Sequence, residues 1–183
     1  MKAMILAAGR GERMRPLTDS MPKPLLLLGG KPIIVWTIER LARAGFHELV
    51  INHAHLGGMI EQALGDGSRY GVSIRYSAER EALETAGGIA NALPLLGDQP
   101  FVAVNGDIYC DFDFSSLQSR ALGRAQAHLV LVANPDHHPD GDFHLSNSAV
   151  YQDGLPRLTF SGIGMYRPEL FASVEPGRKA KLA

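Results

Sequence analysis

Residues 4–25, MILAAGRGERMRPLTDSMPKPL, constrain this chain more than any other stretch. A short apolar run, residues 4–6, has the length of a buried strand and breaks at once into Ala7-Ala8-Gly9-Arg10-Gly11. Small residues and glycines directly after a strand let the backbone bend sharply and bring successive N–H groups close to an anion. Arg13, Arg15 and Lys23 add cations to the same span, and Pro16, Pro22 and Pro24 stiffen it. Together these features predict a phosphate-bearing ligand. The loop is neither of two familiar phosphate binders: Gly9-Arg10-Gly11-Glu12-Arg13-Met14 lacks the third glycine of the dinucleotide fingerprint, and no G-x-x-x-x-G-K-[ST] occurs.

Downstream, the pattern alternates. Pro32 suits a first helical turn, Ile34, Ile38 and Leu41 recur at helical spacing, and Gly45 stops the run. Strands are predicted over residues 48–52, 72–76 and 101–104, with helices over 56–64 and 85–93 between them. Four strand–helix alternations predict a mainly parallel, Rossmann-like sheet flanked by helices. Ligands of such sheets gather at the C-terminal strand ends, where the Gly9 loop and the Asn105-Gly106-Asp107 turn would meet. The second half is less regular: a helix is expected over 114–122, a strand over 127–133, a polar loop over 134–142, and an antiparallel strand pair over 143–151 and 158–166. The tail from Glu175 carries no structural signal of its own.

Composition narrows the function classes. At 183 residues the chain is expected to form one domain, with 45% hydrophobic and 20% charged residues giving a sizeable core. A net charge of −1 argues against a nucleic-acid or membrane surface, both of which favour a basic excess. The single cysteine, Cys110, excludes an internal disulfide; with no signal-peptide pattern and no spanning apolar run, a cytoplasmic protein is expected. Zinc needs a fuller ligand set than His53, His55, His137, His138 and one cysteine suggest. Magnesium prefers carboxylate, water and phosphate oxygens with one or two protein ligands, and Asp107, after an apolar strand and a sharp turn, is the expected ligand.

The complete string of apolar strand, A-A-G-x-G-x-R, P-L-T and P-K-P-L resembles the signature of the sugar-phosphate nucleotidyltransferases. The resemblance implies the nucleotidyltransferase type of α/β fold, with a smaller antiparallel section on the sugar side. It implies attack of a sugar-1-phosphate on the α-phosphorus of a nucleoside triphosphate, with loss of pyrophosphate and Mg2+ as cofactor. Arg13 and Lys23 are then the expected catalytic residues. Leu6, Ala8, Gly9, Gly11 and Glu12 would line the nucleotide with them, Glu12 standing where many relatives have Ser or Thr. Residues 79–88, EREALETAGG, resemble the family's base-recognition loop. Glu79, Leu83 and Thr85 are therefore expected on the nucleotide, together with Asn105 and Gly106, and Glu84 replaces a common glycine. Asn105, Asp142, Ser161 and Gly162 resemble positions that approach the sugar.

The wording INHAHLG, VSIRYSAE, NGDIYCDFDF and GDFHL is most similar to members that use UTP and N-acetylmuramate-1-phosphate in cell-wall recycling. Mannose-1-phosphate with GTP and glucose-1-phosphate with dTTP are the alternatives, and an impaired nucleotide- or sugar-phosphate-binding regulatory domain is the rival of another class. The family's second metal-binding Asp, in W-x-D-x-G-T, has no match here, so residues 1–183 are expected to be a single nucleotidyltransferase domain lacking that C-terminal segment.

Overall fold

The computed structural model describes residues 1–182. Its strands are β1 (Ala3–Leu6), β2 (Leu27–Leu28), β3 (Lys31–Pro32), β4 (Glu48–His53), β5 (Ser73–Ala78), β6 (Phe101–Asn105), β7 (Ala127–Val132), β8 (Phe143–Ser146), β9 (Ala149–Tyr151) and β10 (Arg157–Tyr166). Helices α1 (Leu17–Ser20), α2 (Ile33–Arg43), α3 (Gly57–Leu64), α4 (Glu84–Leu96) and α5 (Ser115–Gln118) lie between them. One eight-stranded sheet runs in the order β5-β4-β1-β6-β10-β8-β9, with β7 also on β10. Strands β5, β4, β1 and β6 are mutually parallel, and β10 is antiparallel to β6, β7 and β8. This is the expected mainly parallel α/β architecture: a parallel half carrying helices and an antiparallel half beside it.

Alternation along the central strands explains why helices cover both faces. Ala3 and Ile5 of β1, Leu49 and Ile51 of β4, and Val102 and Val104 of β6 join one core with Ile34, Ile38 and Leu41 of α2. Met4, Val50, Phe101 and Ala103 point the other way, into a second core with Ile89 and Ala90 of α4, Tyr166 and Phe171. Successive strand residues face opposite sides, so a continuous apolar run such as FVAV has to be covered twice.

The chain leaves β1 to build β4 and β5 on one side, then returns to place β6 on the other. The gap between the C-terminal ends of β1 and β6 is therefore a topological switch point, where α/β sheets open a crevice. Register puts Ser77, Asn52, Leu6 and Asn105 in one row across that edge.

Three sequence expectations change. Residues 143–151 are not one strand but the hairpin β8–β9, turning at Asn147 and Ser148, which both have positive φ. Two such residues make the type of tight turn whose twist suits antiparallel neighbours. The helix expected over 114–122 is a single turn, α5, stopped at Ser119. The tail is docked: the Ala180 N–H donates to the Leu83 carbonyl at 3.0 Å, and the Ala180 carbonyl accepts from Ala86 at 2.9 Å and Gly87 at 3.1 Å. It thereby satisfies the Ala86 N–H in the first turn of α4, which no helical carbonyl can reach.

Candidate active site

The loop after β1 leaves the sheet at Ala7, whose N–H donates to Asn52 Oδ1 at 2.9 Å. Asn52 Nδ2 donates to Glu79 Oε1 at 2.7 Å, and Glu79 Oε2 accepts the Leu83 N–H at 2.9 Å. Asn52 and Glu79 are both buried, so this chain of bonds ties the β1 loop, β4, the end of β5 and the approach to α4 into one brace. Beyond it, the hydrogen bonds among the described residues take no N–H from residues 8–13. A run of amides with no intramolecular acceptor is what an anion needs. A Cβ on Gly9 would meet no protein atom within 4 Å, so its surroundings are open rather than packed.

The loop lines a cavity of about 450 Å³ at the switch point. Leu6, Ala8, Gly9, Gly11, Glu12, Arg13, Lys23, Thr85, Asn105 and Asp107 all line it, with Asn52 and Glu84 among the others. Lys23 Nζ lies 2.6 Å from Asp107 Oδ2, a pair joining the first loop to the turn after β6 across 84 residues of sequence. With Asp107 as the nearby carboxylate and phosphate expected beside it, the donor set suits a hard cation completed by substrate oxygens and water.

A second cavity of about 710 Å³ shares Glu84, Thr85 and Asn105 with the first and extends toward the antiparallel strands. Asp142 lines it, its Oδ2 accepting the Phe160 N–H at 2.7 Å and its Oδ1 3.1 Å from His138 Nε2. Asn105 thus stands where the two cavities join. Gly162 makes that position available: a Cβ there would lie 2.6 Å from Asn105 Nδ2.

Several expected contacts lie elsewhere. Glu79 turns its carboxylate to Asn52 and Leu83, not to the cavity, and Leu83 is buried behind it. Gly106 donates its N–H to the Leu6 carbonyl at 2.8 Å and lines neither cavity. The Ser161 hydroxyl donates to the Val130 carbonyl at 2.8 Å, inside the irregularity where β10 shifts register on β7. Glu84 has φ +63, the left-handed conformation that favours glycine, so the backbone keeps the shape of the common residue despite the change of side chain. Asn52 was not expected. Its signal is a polar side chain ending the apolar run LVI, which a fully covered strand tolerates only with buried partners.

Burial pushes the Glu79 carboxyl above its ordinary range, against the Asn52 and Leu83 donors that favour its charge. The folded state therefore binds this proton more tightly than the unfolded chain. The group's contribution to stability is full below the ordinary carboxyl value and lost as pH rises through the raised one. Glu79→Gln is expected to abolish that slope. It is also expected to cost about 2 kcal/mol at neutral pH, because its amide faces a second donor in Asn52 or Leu83. Urea midpoints of both proteins across mildly acid to neutral pH test this; parallel curves would refute it.

Comparison with known proteins follows the same residues. The family model described as nucleotidyl transferase matches residues 2–143. An N-acetylmuramate alpha-1-phosphate uridylyltransferase from Neisseria meningitidis serogroup B is 61% identical over 190 aligned residues, covering 100% of this chain and 82% of that protein. The mannose-1-phosphate guanylyltransferase catalytic subunit beta of Xenopus tropicalis is 40% identical over 120 residues, covering 64% of this chain and 33% of that protein. Among solved structures, HddC from Yersinia pseudotuberculosis complexed with GMP-PN superposes with TM-score 0.80 at 20% identity, covering 98% of this chain and 82% of that chain. UDP-glucose pyrophosphorylase complexed with UDP-glucose gives 0.72 at 19%, covering 93% and 77%. The fold is the same in both.

Proposed function

This chain belongs to the nucleotidyl transferase family, and we propose that it transfers uridylyl from UTP to N-acetylmuramate-1-phosphate, releasing pyrophosphate. The acceptor phosphate oxygen bonds to the α-phosphorus while the bond to the β,γ-pyrophosphate breaks. The nucleophile is already an anion at neutral pH, so a protein base has little to contribute. What the protein supplies is alignment of two anions and relief of charge on the leaving group.

Residues 8–13 are suited to cradle the triphosphate with backbone N–H groups, and Arg13 to hold its outer oxygens with a forked donor set. Lys23 fits the phosphate at the reacting centre as a compact charge. Asp107 would hold Mg2+, which supplies neutralising charge to the phosphates when bound. Thr85 and Asn105, on the shared rim, stand between the two substrates. The observation that carries this reading is the convergence of free loop amides, Arg13, Lys23 and Asp107 on one cavity at the switch point.

The test is magnesium-dependent pyrophosphate release with UTP, dTTP, GTP and CTP, each paired with N-acetylmuramate-, glucose- and mannose-1-phosphate. Turnover is expected with UTP and N-acetylmuramate-1-phosphate, and a different productive pair would replace the assignment. Nucleotide binding without turnover in any pair would favour the regulatory binding domain.

A further inference from the structure

The second cavity contains two cations, Arg157 and Lys181, and they are not equivalent. Arg157 donates Nη2–H to the Gln152 carbonyl within the antiparallel section. Lys181 makes no hydrogen bond or ion pair among the described residues, although its neighbour Lys179 is paired with Glu81 at 2.8 Å. Its backbone is nonetheless held. Ala180, just before it, is fixed by three hydrogen bonds to the start of α4, and Leu182, just after it, packs against the second core. The tail reaches this seat because residue 87 is glycine: a Cβ there would lie 2.2 Å from the Arg178 carbonyl oxygen.

Lys181 is exposed and lines the cavity, and a lysine with a fixed backbone and an ammonium that no described residue engages is suited to an anionic group. The acceptor phosphate must reach the first cavity, where Arg13 and Lys23 stand, so the sugar ring extends from the shared rim into the second. The other charges facing this space are anions: Asp142, whose two oxygens already have partners, and Glu84 at the rim. We propose that Lys181 binds a carboxylate carried by the acceptor sugar away from its phosphate, and so selects an acidic sugar over its neutral counterpart. The inference rests on the acceptor assignment above, since the lactyl ether of N-acetylmuramate supplies such a carboxylate and N-acetylglucosamine lacks it. The carboxylate would form a charge-assisted hydrogen bond with this ammonium, which is paired with no other described residue.

The experiment compares kcat/KM for N-acetylmuramate-1-phosphate and N-acetylglucosamine-1-phosphate, with UTP fixed, in wild type, Lys181→Met, Lys181→Arg and Lys179→Met. Lys181→Met is expected to lower the value for the acidic sugar roughly tenfold or more, as loss of one charged hydrogen bond does, mainly through KM. The neutral sugar should be unaffected, Lys181→Arg should restore most of the preference, and Lys179→Met should leave the ratio unchanged. Equal loss with both sugars would assign Lys181 to the shared phosphate and overturn the proposal. So would an unchanged ratio in Lys181→Met, or a wild type that does not prefer the acidic sugar. A wild type that turns over neither N-acetyl sugar but accepts another sugar phosphate would instead overturn the acceptor assignment itself.

Discussion

Lys23→Met is expected to lower kcat for pyrophosphate release by about 10³-fold while leaving the fold nearly as stable as before. Removing one preorganised donor from the charge developing in a transition state costs about 10²–10³ in rate. Lys23 is a full cation placed beside Asp107 in the proposed phosphate cavity. Its ion pair is partly open to water, with side-chain exposures of 21% and 36%, and such pairs contribute at most about 1 kcal/mol to folding. Activity and stability should therefore separate cleanly. Asp107→Asn should also lose turnover, but by a different route: rate in Lys23→Met should still rise with added magnesium, whereas that response should vanish in Asp107→Asn. Rapid-quench kinetics with the magnesium concentration varied measure both. A Lys23→Met enzyme within tenfold of wild type would remove this residue from the reacting centre.

Gly88→Ala is expected to destabilise the protein by about 3 kcal/mol. Alanine ordinarily favours a helix interior over glycine by about 1 kcal/mol, and Gly88 lies within α4. Here propensity loses to packing. The added Cβ would stand 2.7 Å from Asn52 Nδ2 and 2.9 Å from Glu79 Oε1, both distances too short to persist. Overpacking typically costs 1–3 kcal/mol, and separating these groups also leaves buried polar atoms short of partners at about 1–3 kcal/mol each. Because Asn52 is the acceptor for the Ala7 N–H, the β1 loop should loosen as well, raising KM for the nucleotide. Gly58→Ala is the internal control: this glycine lies in α3 with no heavy atom within 4 Å of its added Cβ, so the substitution should stabilise by up to about 1 kcal/mol. Similar denaturation midpoints for the two variants would show that the brace carries no strain-sensitive load.

Much of the molecule is legible in the linear order of its residues. The strand-to-glycine break at Leu6, the helical spacing of Ile34, Ile38 and Leu41, and the apolar run ending at Asn105 specify a parallel half by local pattern alone. The same patterns put Gly9 and Asp107 at strand ends, and hence at a common edge. Local pattern does not give the direction of the Glu79 carboxylate. A motif gives the spacing of a loop, but the direction of one side chain depends on which acceptors and donors surround it. Here the carboxylate accepts from the Asn52 side chain and the Leu83 N–H. The hairpin at Asn147-Ser148 was missed for a related reason, since neither residue is glycine and positive φ at both is imposed by the pairing of β8 with β9.

The sequence by itself determined the alternating elements, the glycine-rich loop after β1, and the presence of Arg13, Lys23 and Asp107, because each follows from residue type and near-neighbour spacing. Only the tertiary structure decided that Glu79 is a brace, that Gly88 and Gly162 are spaces cut for Asn52 and Asn105, and that residues 177–182 carry Lys181 to the second cavity. Those outcomes depend on contacts between segments far apart in the chain. A missing Cβ acquires meaning only once the group that fills its place is known.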